Sequence, residues 1–139
     1  MIIIRDVNAP ASFVFTKLID SSLYDIKKQT NKRLTWKQLK NFEYVKTFSR
    51  HQKARITILD VVENEKYSFK TSTTSNEYVT TYTIEPKTDV SCKVTCEETK
   101  TSHGFMQKLN DTVVGLILGR SKKKQIKAIL DEMGKQYKG

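Results

Sequence analysis

Proline, glycine, cysteine and histidine are all scarce in this chain of 139 residues, which has two prolines, five glycines, two cysteines and two histidines. So few prolines and glycines argue against a disordered or low-complexity chain. The sequence contains no HExxH or CxxC motif and no glycine-rich phosphate loop. No metal site, cofactor or catalytic motif is therefore predicted. We interpret His51 as a turn residue and His103 as the start of a helix.

Long hydrophobic runs are also absent. The uncharged run near the C-terminus, residues 112–119, has eight residues, whereas a membrane-spanning helix needs about 18 or more. The apolar residues 1–4 are followed at once by Arg5 and Asp6, which leaves no signal-peptide core. We therefore expect a cytoplasmic protein.

The two cysteines, Cys92 and Cys96, are four residues apart. On one strand their Cα atoms would lie about 13 Å apart, whereas a disulfide needs less than about 7 Å. Both would point to the same face of the strand, as does Val94 between them. We expect buried reduced thiols and not a redox or metal site.

The apolar periodicity predicts a strand, helices, consecutive strands and a long final helix. A strand is predicted at residues 1–7, and helical spacing follows at residues 13–28, with Ser12 as the N-cap and a break at residues 20–22. Thr35 is predicted to cap a short helix. Alternation then predicts an antiparallel meander of strands near residues 42–48, 55–62, 66–74, 76–86 and 90–96. Helical spacing returns from residue 105 to residue 137. The length of the chain and this order of elements predict a single α+β domain over residues 1–139.

This order resembles the START-like superfamily, whose helix-grip fold is shared with polyketide cyclases, the birch pollen allergen family and plant abscisic-acid receptors. The resemblance covers nearly the whole chain. It is carried by VNAPASFVFTKLID, ARITILDVVENEKYSFKTS, NEYVTTYTIEP and GFMQKLNDTVVGLILGRSKKKQIKAILDEM. The stretches LYDIKKQT and LTWKQLKNFEYVK are similar to a small bacterial family catalogued only as a domain of unknown function. Because a fold hosts many functions, the resemblance implies architecture and leaves activity open.

The resemblance implies a curved antiparallel sheet wrapped around the C-terminal helix, two short helices after the first strand, and a cavity that holds a small apolar or amphipathic ligand. The residues expected to line it on the strands are Ile56, Ile58, Phe69, Thr71, Tyr82 and Cys96. Those expected on the helix are Phe105, Leu109, Val113, Leu116 and Ile117. Aromatic rings with a few hydroxyls suit a ligand site, but tyrosine and threonine are also ordinary strand residues. A ligand cavity and a filled core therefore both remain open.

Our leading interpretation is a non-enzymatic module that binds a small hydrophobic or amphipathic molecule. The alternative is a protein-interaction or regulatory domain with a filled core, as in co-chaperone relatives. A cyclase-like or hydrolase activity is a third reading, because Glu98 continues the inward series of Val94 and Cys96. In an apolar site such a carboxylate could act as a general base.

The distribution of basic residues indicates which anionic partners are possible. The net charge of +10 is concentrated in residues 1–52 (+6) and 103–139 (+5). A phosphate-binding face could be built from Lys27, Lys28, Lys32, Arg33, Lys37, Lys40, Lys122, Lys123, Lys124 and Lys127. Nucleic acid is disfavoured, because no helix-turn-helix signature is present and the aromatic residues fall on inward strand faces. Weak contact with an anionic membrane surface is compatible with Trp36 beside Lys37, although a half-buried tryptophan is the more common arrangement. The sequence does not identify a protein partner.

The apolar stripe of the last helix changes face along its length. Residues 105, 109, 113, 116 and 117 share one side, while residues 126, 129, 130, 133 and 137 share another. We therefore predict a kink or local break near residues 119–123. The helix after it is predicted to pack on an edge of the fold, with the basic cluster at residues 122–124 on the solvated outside.

Overall fold

The computed structural model describes residues 1–49, 52–102 and 122–137. Strand β1 (Ile2–Val7) is followed by helix α1 (Ala11–Thr30) and a 3-10 turn (Trp36–Gln38). Five strands come next: β2 (Glu43–Ser49), β3 (Gln52–Val62), β4 (Lys66–Ser72), β5 (Asn76–Thr88) and β6 (Ser91–Ser102). A C-terminal helix, α2, is described over residues 122–136.

The six strands form one antiparallel sheet in the order β1-β6-β5-β4-β3-β2. Consecutive strands β2 to β6 pair as hairpins, while β1 pairs with β6, so that β1 and β2 are the two edges. The predicted curved antiparallel sheet with a C-terminal helix, of the α+β helix-grip class, is confirmed. No described helix is long and apolar enough to cross a membrane.

Local chemistry explains where the strands turn and end. Asn64 adopts a left-handed conformation (φ 62°) between β3 and β4, which asparagine tolerates better than most residues. Thr73 closes the next turn, because its hydroxyl accepts hydrogen bonds from the backbone N–H groups of Ser75 and Asn76. Strand β5 continues through Pro86, beyond the predicted end. Proline is tolerated there because β4 pairs with β5 only as far as Thr83, which leaves that side of Pro86 unpaired.

Helix α1 differs from prediction at its start and in its middle. Its N-cap is Pro10 and not Ser12. The helix runs through residues 20–22 without the predicted break, so one long helix and a 3-10 turn stand where two short helices were expected. Aspartate and serine lower helix propensity only modestly, and apolar residues on both sides of this turn, Leu18, Ile19 and Ile26, are buried against the fold. Thr35 is the N-cap of the 3-10 turn, as predicted, and its backbone N–H donates a 2.9 Å hydrogen bond to the side-chain oxygen of Gln38.

Helix α2 packs against the β1 edge and the start of α1. Ile126, Leu130 and Met133 are buried, and Tyr137 meets the ring of Phe13 edge-on at 5.2 Å between centroids. Two further contacts link α2 to β1 and the residues after it. Arg5 makes two hydrogen bonds, of 2.8 and 2.9 Å, to Asp131. A Cβ on Gly134 would lie 3.2 Å from the backbone nitrogen of Asn8.

The predicted edge packing of this helix agrees with these contacts, with one exception. Ile129 was assigned to the buried stripe but is 54% exposed. The predicted kink at residues 119–123 lies largely outside the described residues, as do His51 and His103. Cys92 and Cys96 are buried free thiols, as expected. Trp36 is half-buried and packs edge-on against Phe15.

Candidate ligand cavity

A cavity of about 1070 Å³ lies between the inner face of the sheet and the helices. Helix α1 contributes Leu18, Ser21, Ser22 and Asp25, and α2 contributes Lys122, Gln125, Ile126 and Ile129. The strands contribute Tyr44, Lys46, Phe48, Gln52, Lys53, Ile56, Tyr67, Phe69, Thr71, Asn76, Tyr78, Thr80, Tyr82 and Glu98, and the β4–β5 turn adds Thr73, Thr74 and Ser75. The lining therefore combines aromatic and aliphatic side chains with hydroxyls and a few charges.

The pairing register explains why these strand residues meet. Alternate residues of a strand point to the same face, and each inward residue is paired with an inward residue of the next strand. Tyr82 lies opposite Tyr67 on one side and Cys96 on the other. One further row crosses the sheet in the same way and consists of Tyr44, Ile56, Thr71 and Tyr78. The floor of the cavity is thus a set of cross-strand rows of mixed polarity.

One polar cluster joins α1 to the edge strand β2. The hydroxyl of Tyr44 donates a 2.5 Å hydrogen bond to Oδ2 of Asp25. Lys46 forms an ion pair of 3.3 Å with the other carboxylate oxygen of Asp25. The Asp25 side chain is 19% exposed, so these two partners replace much of the water that would stabilise its charge at the surface. Burial, together with the Asp25 carboxylate, raises the pKa of Tyr44 well above its usual value.

A second contact ties α1 to the middle of the sheet. The hydroxyls of Ser22 and Tyr67 are 2.5 Å apart and share a hydrogen bond. Burial of the ring is the main reason that the pKa of Tyr67 is raised to about 12. Ser22 and Asp25 are three residues apart and therefore share a side of α1. The predicted helix break at residues 20–22 is thus replaced by a helical turn that presents polar groups to the cavity.

The other polar cluster lies where α2 meets β5 and β6. Glu98 pairs with Lys122 and accepts a 3.1 Å hydrogen bond from the Thr80 hydroxyl. Its side chain is 10% exposed, while that of Lys122 is 47% exposed. Lys122 also lies over the ring of Tyr78, 5.4 Å from its centroid. The carboxylate is therefore held inside and the ammonium group reaches solvent.

Beside this cluster Tyr82 lies directly opposite Cys96 in the pairing of β5 with β6. Burial raises the pKa of both groups, so the phenol and the thiol are neutral at physiological pH. The lining offers neutral hydroxyl and amide groups that can orient a ligand by hydrogen bonds, and its carboxylates, Asp25 and Glu98, are each paired with a lysine. The described residues contain no group of three or more histidine, cysteine or carboxylate side chains arranged to hold a metal ion.

The predicted site residues divide into three sets. Ile56, Phe69, Thr71 and Tyr82 line the cavity. Ile58 and Cys96 are buried in the core beneath it. Phe105, Leu109, Val113, Leu116 and Ile117 lie outside the described residues. Their binding of a ligand stays a prediction in every case.

Sequence reasoning missed the cavity residues of α1 and β2. The signal was present, because Ser22 and Asp25 follow Leu18 on one side of α1, and Tyr44, Lys46 and Phe48 alternate along β2. Glu98 was predicted to point inward, and it lines the cavity. Its lysine partner was not predicted.

Comparison with known protein families identifies the family of this chain. A family model described as Domain of unknown function (DUF3284) matches residues 1–119. The chain belongs to the DUF3284 family. This agrees with the resemblance of residues 23–30 and 34–46 to a family of unknown function. No match was found among curated proteins.

Solved structures similar to this DUF3284 protein share its fold at low sequence identity. Norcoclaurine synthase from Thalictrum flavum, in complex with dopamine and hydroxybenzaldehyde, has a TM-score of 0.62 and 9% identity, over 100% of this chain and 87% of that chain. Protein MLL2253 from Mesorhizobium loti has a TM-score of 0.59 and 13% identity, over 90% of each chain. Protein CV1439 from Chromobacterium violaceum has a TM-score of 0.55 and 16% identity, over 94% and 96% of the two chains. Identities this low establish the fold alone.

Proposed function

We propose that this DUF3284 protein binds a small amphipathic molecule in the cavity between its sheet and helices. The observation that carries the proposal is the composition of the cavity lining. Ile56, Phe69 and Leu18 offer an apolar surface, while Tyr82 and Thr80 place polar atoms among them. Ligand sites combine a largely apolar lining with a small number of fixed polar groups in this way.

The size and polarity of the cavity narrow the class of ligand. Ligand cavities typically measure about 300–1,000 Å³, and the volume of about 1070 Å³ lies just above that range. Both inward carboxylates, Asp25 and Glu98, are already paired with lysines. A ligand with an apolar body and neutral hydroxyl groups would therefore gain hydrogen bonds without leaving a buried charge unpaired.

The structural neighbours lend support at the level of the fold. The synthase from Thalictrum flavum is described in complex with dopamine and hydroxybenzaldehyde, which are small aromatic molecules bearing hydroxyl groups. The tyrosine and threonine rows of the present sheet suit molecules of that general chemistry. The identity of 9% does not carry the synthase's reaction over to this chain.

The proposal can be tested by native mass spectrometry with a panel of phenols, fatty alcohols and fatty acids. We expect at least one class to be retained with one molecule per chain and to raise the melting temperature. The variant Thr71→Trp fills the middle of the cavity and should abolish retention. Lys70→Trp, one residue earlier and on the opposite face of β4, is the matched control and should leave retention unchanged.

Circular dichroism would check that both variants fold. Equal retention by the two variants would place the ligand outside the cavity and contradict the proposal. If the unmodified protein retains no compound, the result contradicts ligand binding and favours the protein-interaction alternative.

A further inference from the structure

A basic segment follows the middle of α1. Residues 26–42 contain six basic residues and no acidic residue. We define the basic face as Lys27, Lys28, Lys32, Arg33 and Lys37; the sixth residue is Lys40. The helix dipole accounts for the first two members, which lie in the last turn of α1. It does not account for the other three, which lie beyond the end of the helix at Thr30.

The charges of the basic face are not neutralised by carboxylates. Within residues 1–49, 52–102 and 122–137, the ion pair of this segment is that of Lys40 with Asp60, at 3.6 Å. Lys27 instead donates to the side-chain oxygen of Asn31. Lys32 and Lys37 lie over the rings of Phe42 and Trp36, each at 5.9 Å. Contacts of this kind position the ammonium groups but leave their charge in place.

Exposed aromatic side chains adjoin the basic face. Tyr24 is 71% exposed and lies one turn before Lys28 on α1. Phe48 is 55% exposed and belongs to the edge of the cavity on β2. A hydrogen bond from the backbone N–H of Thr47 to Gln29 holds this strand against the end of α1. The hydrogen bond from Thr47 to Gln29, and the position of Tyr24 one turn before Lys28, therefore place both rings near the part of the basic face at the end of α1.

This combination favours a membrane surface over nucleic acid. Trp36 packs against Phe15 and is half-buried, so its ring is not free to stack on a base. Lysines beside exposed tyrosine and phenylalanine rings suit the boundary between lipid headgroups and acyl chains. We propose that the basic face docks the protein on the surface of an anionic phospholipid bilayer, with Tyr24 and Phe48 entering the headgroup region. The proposal does not depend on the cavity holding a ligand.

Vesicle partitioning of the full chain tests the proposal. The probes are vesicles of phosphatidylcholine alone and vesicles of equal parts phosphatidylcholine and phosphatidylglycerol. We expect binding to the anionic vesicles only, and its loss when the ionic strength is raised to roughly 1 M, where the Debye length is about 3 Å. Each basic residue near an anionic surface contributes about fivefold to the partition coefficient. The triple variant Lys28→Gln, Lys32→Gln, Arg33→Gln should therefore lower it about a hundredfold.

The matched control removes three charges from elsewhere, with Lys70→Gln, Lys87→Gln and Lys93→Gln on β4, β5 and β6. We expect the control to partition much as the unmodified protein does, and circular dichroism would check that both variants fold. Equal loss in the two triple variants would overturn the proposal, because net charge and not the basic face would then explain binding. Equal partitioning to the two kinds of vesicle would overturn it as well. So would salt-sensitive binding to single-stranded RNA that depends on the basic face while vesicle binding is absent.

Discussion

Removal of the Tyr44 hydroxyl tests whether the polar cluster at the cavity wall stabilises the fold. In Tyr44→Phe the Asp25 carboxylate loses its 2.5 Å hydrogen bond and keeps only the ion pair with Lys46. Tyr44 is buried and Asp25 is mostly buried, so water cannot fully replace the lost donor. The expected result is a lower free energy of unfolding.

The magnitude follows from the kind of bond that is lost. A hydrogen bond to a charged group contributes about 1.5–3 kcal/mol. Because Asp25 retains some exposure and the Lys46 ammonium group, we expect a loss near the lower half of that range, about 2 kcal/mol. A double-mutant cycle with Asp25→Asn should show a coupling energy of about 1 kcal/mol or more between the two positions.

Urea unfolding followed by circular dichroism measures the effect. The matched control is Tyr24→Phe, one residue before Asp25 on the solvent side of α1, which should change stability by less than about 0.5 kcal/mol. If Tyr44→Phe proves no more destabilising than Tyr24→Phe, the hydrogen bond to Asp25 makes no net contribution, and the reasoning fails.

Two further predictions concern the core and pH. Burial raises the pKa of Tyr67 from 10.0 to about 12, so the folded state keeps the phenol proton in a pH range where the unfolded chain has lost it. The free energy of unfolding should therefore fall as pH rises from about 10 to about 12. In urea unfolding measured across this range, Tyr67→Phe should remove about 3 kcal/mol of that fall. Parallel pH curves for the two proteins would contradict this. Leu130 is 1% exposed, and Leu130→Ala should lower the free energy of unfolding by about 2–5 kcal/mol. Ile129→Ala, at the adjacent exposed position, should lower it by less than about 1 kcal/mol. Thermal unfolding of the two variants measures the difference, and equal losses would show that Leu130 is not part of the core.

Strand patterning was predictable because it follows from backbone geometry alone. Residues two apart on a strand share a face, so alternation predicted that Phe69 and Thr71 of β4 share the side that faces the helices. Both residues line the cavity. The prediction needed no knowledge of which strands pair.

Contacts between distant parts of the chain could not be predicted in the same way. Asp25 meets Lys46, and Glu98 meets Lys122, only after α1 and α2 dock on the sheet. Single-sequence patterns indicate which face a residue occupies but not which residue of another element it meets. For the same reason the polar residues of α1 were not predicted to line the cavity.

The errors in predicting helix α1 have a local cause. Residues 20–22 were read as a break because aspartate and serine favour turns and caps. Such residues stop a helix less effectively than glycine or proline do, and Ser22 gains a partner in Tyr67 when the helix continues. Likewise, Pro10 precedes the helix in an extended conformation, which places the helix start before the serine that was predicted as its cap.

The central claim, a ligand held between sheet and helices, is tested most directly by methyl NMR with labelled isoleucine. Ile56 and Ile129 line the cavity, while Ile2 and Ile4 are exposed on the β1 edge strand. On titration with a compound retained in native mass spectrometry, we predict that the methyl signals of Ile56 and Ile129 shift and those of Ile2 and Ile4 stay unchanged. Shifts at Ile2 and Ile4 with none at Ile56 would place the ligand on the outer surface and contradict the account.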